Sequence, residues 1–154
     1  MSLEIVILED CIDRQTIMTA CLADRFRHYP VRFFEAAAPM IAYLESKLKT
    51  TIVIALDHDL EFIQDANGSL TDPGTGRDVA NFLADRPPTC PVVIHSTNSP
   101  AAVGIKMTLD EANWTTYRVV PFGDLEWISE IWIQAMRRAI VDTAAPEIEP
   151  THSN

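Results

Sequence analysis

Cysteine is scarce in this chain and forms no motif: Cys11, Cys21 and Cys90 are an odd number, with no C-x-x-C pair among them. That argues against a disulfide framework or a structural zinc site and points to a reducing cytoplasm. Basic residues are also few, 12 Lys and Arg against 22 Asp and Glu, for a formal net charge of −10. Proteins that track along nucleic acid draw most of their affinity from neutralised phosphates. The balance therefore disfavours that mode, leaving room for a small nucleotide or one RNA terminus in a local pocket. No apolar run approaches a membrane span and no signal peptide is visible at Met1, so neither membrane insertion nor export is expected. The lysine of a Walker A loop is missing after Gly76, and no G-x-S-x-G elbow surrounds Ser96.

What is present is a chain of 154 residues with 47% hydrophobic content, enough for one domain with a proper core. Its most informative stretch is TIVIALDHDL, residues 51–60. The first half is a β-branched apolar run, the pattern of a strand buried on both faces. It then delivers Asp57, His58 and Asp59 within three positions. Such charges are costly at the end of a buried strand unless they leave the core or meet a cation.

The remaining chain alternates strand and helix. Strands are expected at 3–8, 31–35, 51–56, 91–96 and 117–122. Helices are expected at 12–28, 36–48, 77–85, 100–112 and 124–141, from apolar residues recurring at helical spacing. Glu61 to Gly76 reads as an unusually long loop, with turn signals at Asn67-Gly68 and Pro73-Gly74; loops of this size are often functional. Residues 1–142 form the domain, and 143–154 read as a flexible polar tail. Strict alternation implies parallel strands with right-handed crossovers. The expected fold is α/β, a five-stranded parallel doubly wound sheet of flavodoxin-like order 2-1-3-4-5. That order places the ends of strands one, three and four side by side, where ligands bind.

Those ends carry Glu9 and Asp10; Asp57, His58 and Asp59; and His95, Ser96 and Asn98. Converging carboxylates repel, and a hard divalent cation is the usual remedy. Glu9, Asp10, Asp57 and Asp59 are thus candidate ligands for Mg2+ or Mn2+, with Glu9 and Asp59 alternatively solvated turn residues. His58 and His95 could flank one phosphorus and divide general-base and general-acid work; either could instead be a capping or core histidine. Ser96 and Asn98 could donate to phosphate oxygens at a helix start. Arg14, Arg77 and Lys106 could face the site or be ordinary surface charges, and Gly74-Thr75-Gly76-Arg77 could cradle an anion or simply turn. Asp65-Ala66-Asn67-Gly68 reads as a turn rather than a calcium loop, since the completing glutamate is absent. Trp127 and Trp132, on the last helix, read as core or as a surface for a protein partner or dimer.

The pattern resembles the receiver domain of two-component response regulators across residues 3 to 141. Glu9-Asp10 match the acidic pair after strand one, Asp57 the phospho-accepting aspartate and Ser96 the hydroxyl residue after strand four. The lysine that precedes proline after strand five in receivers is Val120 here, before Pro121. A closer resemblance is to the cyclic-phosphate processing receiver-like family, associated with RNA repair systems. It rests on Leu56-Asp57-His58-Asp59-Leu60, Thr75-Gly76 before a helix, His95-Ser96-x-Asn98 followed by Gly104 and Met107, and Arg14. The resemblance implies a metal-dependent phosphoesterase acting on 2′,3′-cyclic phosphate ends of RNA or nucleotides. Asp57, His58, His95 and Ser96 would be the catalytic set, with Asn98, Arg14 and Arg77 on the phosphate. Two other readings are a degenerate receiver in phosphorelay signalling and a partner-binding scaffold with a vestigial site.

Overall fold

The structure, a computed structural model, describes residues 2–144. The tail expected from 143 onward lies outside the described residues except for its first two positions, which close the last helix.

Five parallel strands form the sheet: β1 (Glu4–Leu8), β2 (Val31–Phe34), β3 (Thr51–Leu56), β6 (Val92–His95) and β7 (Thr116–Val119). Their spatial order is β2-β1-β3-β6-β7, the order expected of the five main strands. The two extra labels belong to a short antiparallel hairpin, β4 (Ile63–Gln64) and β5 (Leu70–Thr71), inside the segment expected to be a long loop. Two-residue strands are too brief to show a period of two. Only the Asn67-Gly68 turn was visible in the sequence, and there Gly68 takes a positive φ of 81°.

Helices cover both faces. The crossovers are α1 (Ile12–Phe26), α2 (Ala37–Lys47), α3 (Gly76–Ala84) and α4 (Ser99–Glu111), and the chain closes with α5 (Ile133–Ala144). Strand side chains alternate between faces, and the core divides accordingly. Val6, Leu8, Ile54, Leu56, Val92 and Ile94 pack toward α2, α3 and α4. Ile5, Ile7, Val53, Ala55 and Val93 pack on the opposite face, with Met18 and Leu22 of α1 and Met136 and Ile140 of α5.

The last helix differs from the expected continuous run over 124–141. The chain turns through Gly123 and Asp124, and a π-helical segment, Ile128–Trp132, precedes α5. Residues five apart on an α-helix diverge by about 140°. A π-turn, with its extra residue, brings them toward one face. Trp127 and Trp132 are five apart, and both indoles are fully buried in the α1/α5 core. They are core, not a partner surface.

The start of α3 is clamped to the end of β3. Gly76 N–H donates to the His58 carbonyl (3.2 Å), and a Cβ at position 76 would collide with the Asp57 carbonyl oxygen. Thr75 and Asp78 close a reciprocal capping box over the same turn. Gly76→Ala is therefore expected to destabilise the fold by about 1–3 kcal/mol, the usual range for forced overpacking. Urea unfolding would measure it, and an unchanged midpoint would refute the close approach.

Candidate functional site

Strand register builds the centre of the site. Ile7 pairs with Ala55, and Ala55 with Val93. Two residues further along each strand, past the last apolar pair, the same row holds Glu9, Asp57 and His95. All three are odd-numbered continuations of the α1/α5 face, on neighbouring strands about 4.8 Å apart. One oxygen or nitrogen from each lies within 4.8 Å of the others, and all three side chains are buried.

Glu9 is wholly enclosed. Its Oε2 accepts the Cys11 N–H (3.1 Å), and its Oε1 lies 3.3 Å from both Arg14 Nη1 and His95 Nε2. Burial pushes the Glu9 carboxyl up, but the His95 imidazole, the Cys11 N–H and the Arg14 guanidinium together hold it below its ordinary value. Asp57 Oδ1 accepts the His58 N–H (2.7 Å), and Oδ2 lies 3.6 Å from Arg14 Nη1. Here burial wins. Desolvation, reinforced by the charge on Glu9, raises Asp57 to about 6 against the opposing pull of His95, the His58 N–H and Arg14.

Arg14, in the first turn of α1, thus bridges the two buried carboxylates, and its guanidinium stacks 5.4 Å from the Trp127 ring centroid. His95 sits beneath them, its ring 5.7 Å from that of Trp127 and edge-on to Trp132 at 6.3 Å. Although Nε2 is near Glu9, its N–H direction misses the oxygen. Neither ring nitrogen of His95 has a hydrogen-bond partner among the described residues. An unpaired buried polar group costs roughly 1–3 kcal/mol.

Above this row lies a cleft of about 470 Å³. Asp10, Asp13, Asp57, Asp59, Glu61 and Asp124 line it, with Arg14 their one basic neighbour there. Asp13 and Asp124 were not anticipated as cleft residues; only their places at the starts of two helices hinted at it. Asp10 Oδ2 accepts the Glu61 N–H (2.6 Å), tying the hairpin segment to the end of β1. At the rim, His58 Nδ1 is 2.8 Å from Asp59 Oδ1, which Asn98 Nδ2 approaches at 3.5 Å. A larger groove of about 650 Å³ between α1 and α5 is lined by Arg25, Arg137 and Arg138 among others and holds none of these groups.

Several expectations change. Of the four carboxylates expected to share a cation, Glu9 and Asp57 meet at the row, whereas Asp10 and Asp59 stay in the cleft above it and His95 takes the third place. His95 is fully buried, so it does not flank a phosphorus together with the part-exposed His58. Ser96 is buried, and its Oγ accepts the Asn98 N–H (3.1 Å); Asn98 Oδ1 caps α4 through the Ala101 N–H. Arg77 lies against α4, where a Cβ at Gly104 would strike its guanidinium, and Lys106 is bound to Asp110 and Thr116. In the Gly74-Thr75-Gly76-Arg77 turn, the N–H groups of Thr75 and Gly76 are already taken by Asp78 and His58.

The donor set suits a divalent cation: two buried carboxylates, an imidazole with unpartnered nitrogens, and further carboxylates in the cleft.

Solved structures with the same architecture are response-regulator receivers. The phosphorylated cyanobacterial phytochrome response regulator RcpA superposes with a TM-score of 0.68 at 17% identity, covering 94% of this chain and 98% of that one. A response regulator receiver domain from Rhodospirillum rubrum gives 0.65 at 14% identity, covering 94% and 96%. The response regulator domain of Thermotoga maritima CheB gives 0.62 at 14%, covering 97% and 100%. The chain is thus a receiver fold. Within that class it belongs to the cyclic-phosphate processing receiver domain family, whose profile matches residues 6–111. No curated protein sequence matches it. Among the described residues, no helix is long and apolar enough to cross a membrane.

Asp57 gives a pH signature. Its folded pKa lies above the unfolded value, so folding takes up a proton between about 4 and 6. The associated stability is complete below pH 4 and is lost as pH rises through 6, a loss of roughly 3 kcal/mol. In metal-free buffer, Asp57→Asn should be more stable than the parent at pH 7 and equal to it near pH 4. Paired urea titrations would show this, and a constant difference across the window would contradict it.

Proposed function

We propose that this protein is a metal-dependent phosphoesterase that opens 2′,3′-cyclic phosphates on RNA ends or nucleotides. The observation that carries the reading is the partnership of a His58–Asp59 dyad with a cleft too acidic to admit a phosphodiester unaided. Six carboxylates against one guanidinium repel an anion, so phosphate chemistry here requires a dication, Mg2+ or Mn2+. When bound, such an ion polarises a phosphoryl oxygen and acidifies water. Asp57 and Glu9, with Asp10 and Asp59 nearby, are the residues to hold it.

The proton work falls to His58. Asp59 fixes Nδ1 and so the tautomer and ring orientation, leaving Nε2 without a protein partner among the described residues. Nε2 takes the proton of a water whose oxygen attacks phosphorus. As one bridging P–O bond breaks, it returns that proton to the departing ribose oxygen. Asn98 steadies Asp59 from α4, and Arg14, pinned over Trp127, offers a guanidinium to a non-bridging oxygen. Asp57, charged above pH 6, is ready to hold a cation at neutral pH and loses that capacity in acid.

The reading is tested by phosphorus NMR of 2′,3′-cyclic AMP with Mg2+ or Mn2+. Conversion to a monophosphate is expected, with His58→Ala slower by about 10²–10⁴-fold, the usual contribution of one acid–base group. Asp57→Asn should be inactive although better folded. No product, or full activity in His58→Ala, would reject it.

A second reading is favoured by the place of Asp57 at the end of β3 in a receiver fold: acceptance of a phosphoryl group in signalling. Acetyl phosphate discriminates. A lasting adduct on Asp57, without turnover of cyclic AMP, would favour signalling.

A further inference from the structure

We propose that His95 is itself a metal ligand, completing with Glu9 and Asp57 a mixed imidazole–carboxylate site built for a transition-metal ion such as Mn2+. The inference deepens the reading above and rests on it only in supposing that a divalent ion serves this cleft.

Three independent observations converge. First, register puts one donor from each of β1, β3 and β6 in a single lateral row, all buried and within 4.8 Å of one another. Second, His95 is fully buried with both nitrogens unpartnered, and Nε2 lies 3.3 Å from a Glu9 oxygen at an angle that makes no hydrogen bond. Third, packing orients the ring: the indole of Trp127, just before the π-helical segment, is tilted 30° to it, and that of Trp132, the last residue of that segment, stands at 89°. π-Turns inside helices are frequent at functional sites. Arg14 Nη1, shared between Glu9 and Asp57, supplies positive charge to the row and would compete with a bound cation.

Donor chemistry sets the preference. Mg2+ favours oxygen ligands and retains its waters, whereas imidazole nitrogen favours later divalent ions, with Mn2+ accepting both. His95 thereby acts on the reaction through the metal rather than by exchanging protons with substrate.

Electron spin-echo envelope modulation on the Mn2+-loaded full chain tests this without relying on activity, and calorimetry reports Mn2+ affinity. The expected result is nitrogen modulation that changes isotope pattern on 15N-histidine labelling and persists in His58→Gln. In His95→Gln it should vanish, with Mn2+ bound about tenfold more weakly or worse. Because His95 is buried, the His58→Gln and labelled parent proteins decide the question even if that variant misfolds. Mn2+ that binds without nitrogen modulation, modulation lost in His58→Gln, or no Mn2+ binding would each overturn the proposal. A nitrogen-coupled Mn2+ in a protein that leaves cyclic AMP intact would support it while removing the hydrolase reading.

Discussion

Everything at this site depends on two carboxylates held side by side with little water to screen them. Glu9 and Asp57 are adjacent because β1 and β3 run parallel in a register that also pairs Ile7 with Ala55. The apolar pairs that drive the sheet together force the acidic pair together as well. Asp57 responds by holding its proton to about pH 6, while Glu9 stays ionised only because His95, a backbone N–H and Arg14 surround it. Proximity of like charge is otherwise unfavourable by several kcal/mol. The arrangement persists because a hydrophobic sheet enforces it, and its cost falls whenever a cation is present.

The surrounding architecture serves that pair. Gly76 lets α3 press onto the Asp57–His58 peptide, fixing where His58 leaves the strand. Asn98 spends its carbonyl oxygen on capping α4 and turns its amide toward Asp59, linking a helix start to the dyad. Asp10 anchors the inserted hairpin through the Glu61 N–H, giving the cleft a wall that plain strand–helix alternation would not supply. Each of these residues has a structural duty as well as a place at the candidate site.

The sheet was legible in the sequence because its strands are apolar, β-branched and separated by periodic helices; even the strand order followed from alternation. The acidic strand ends were legible for the same reason. The membership of the central group was less visible, although the odd-numbered sequence 5-7-9, 53-55-57, 93-95 contained it. Reading that row needed the register as well as the strands. The depth of His95 was left open because Ser96, Thr97 and Asn98 follow it in the chain and suggest water, while its neighbours in space are indoles. Trp127 and Trp132 looked like partners on an ordinary helix. Their five-residue spacing makes sense only with a π-turn, which no hydrophobic period announces.

The stacking of Arg14 on Trp127 has a further consequence. Indole emission is sensitive to the charges and rings that touch it, and this indole packs against both the guanidinium bridging the carboxylates and the imidazole of His95. The molecule thus carries a built-in fluorophore at its most electrostatically loaded point, and whatever draws the guanidinium aside changes the light it emits.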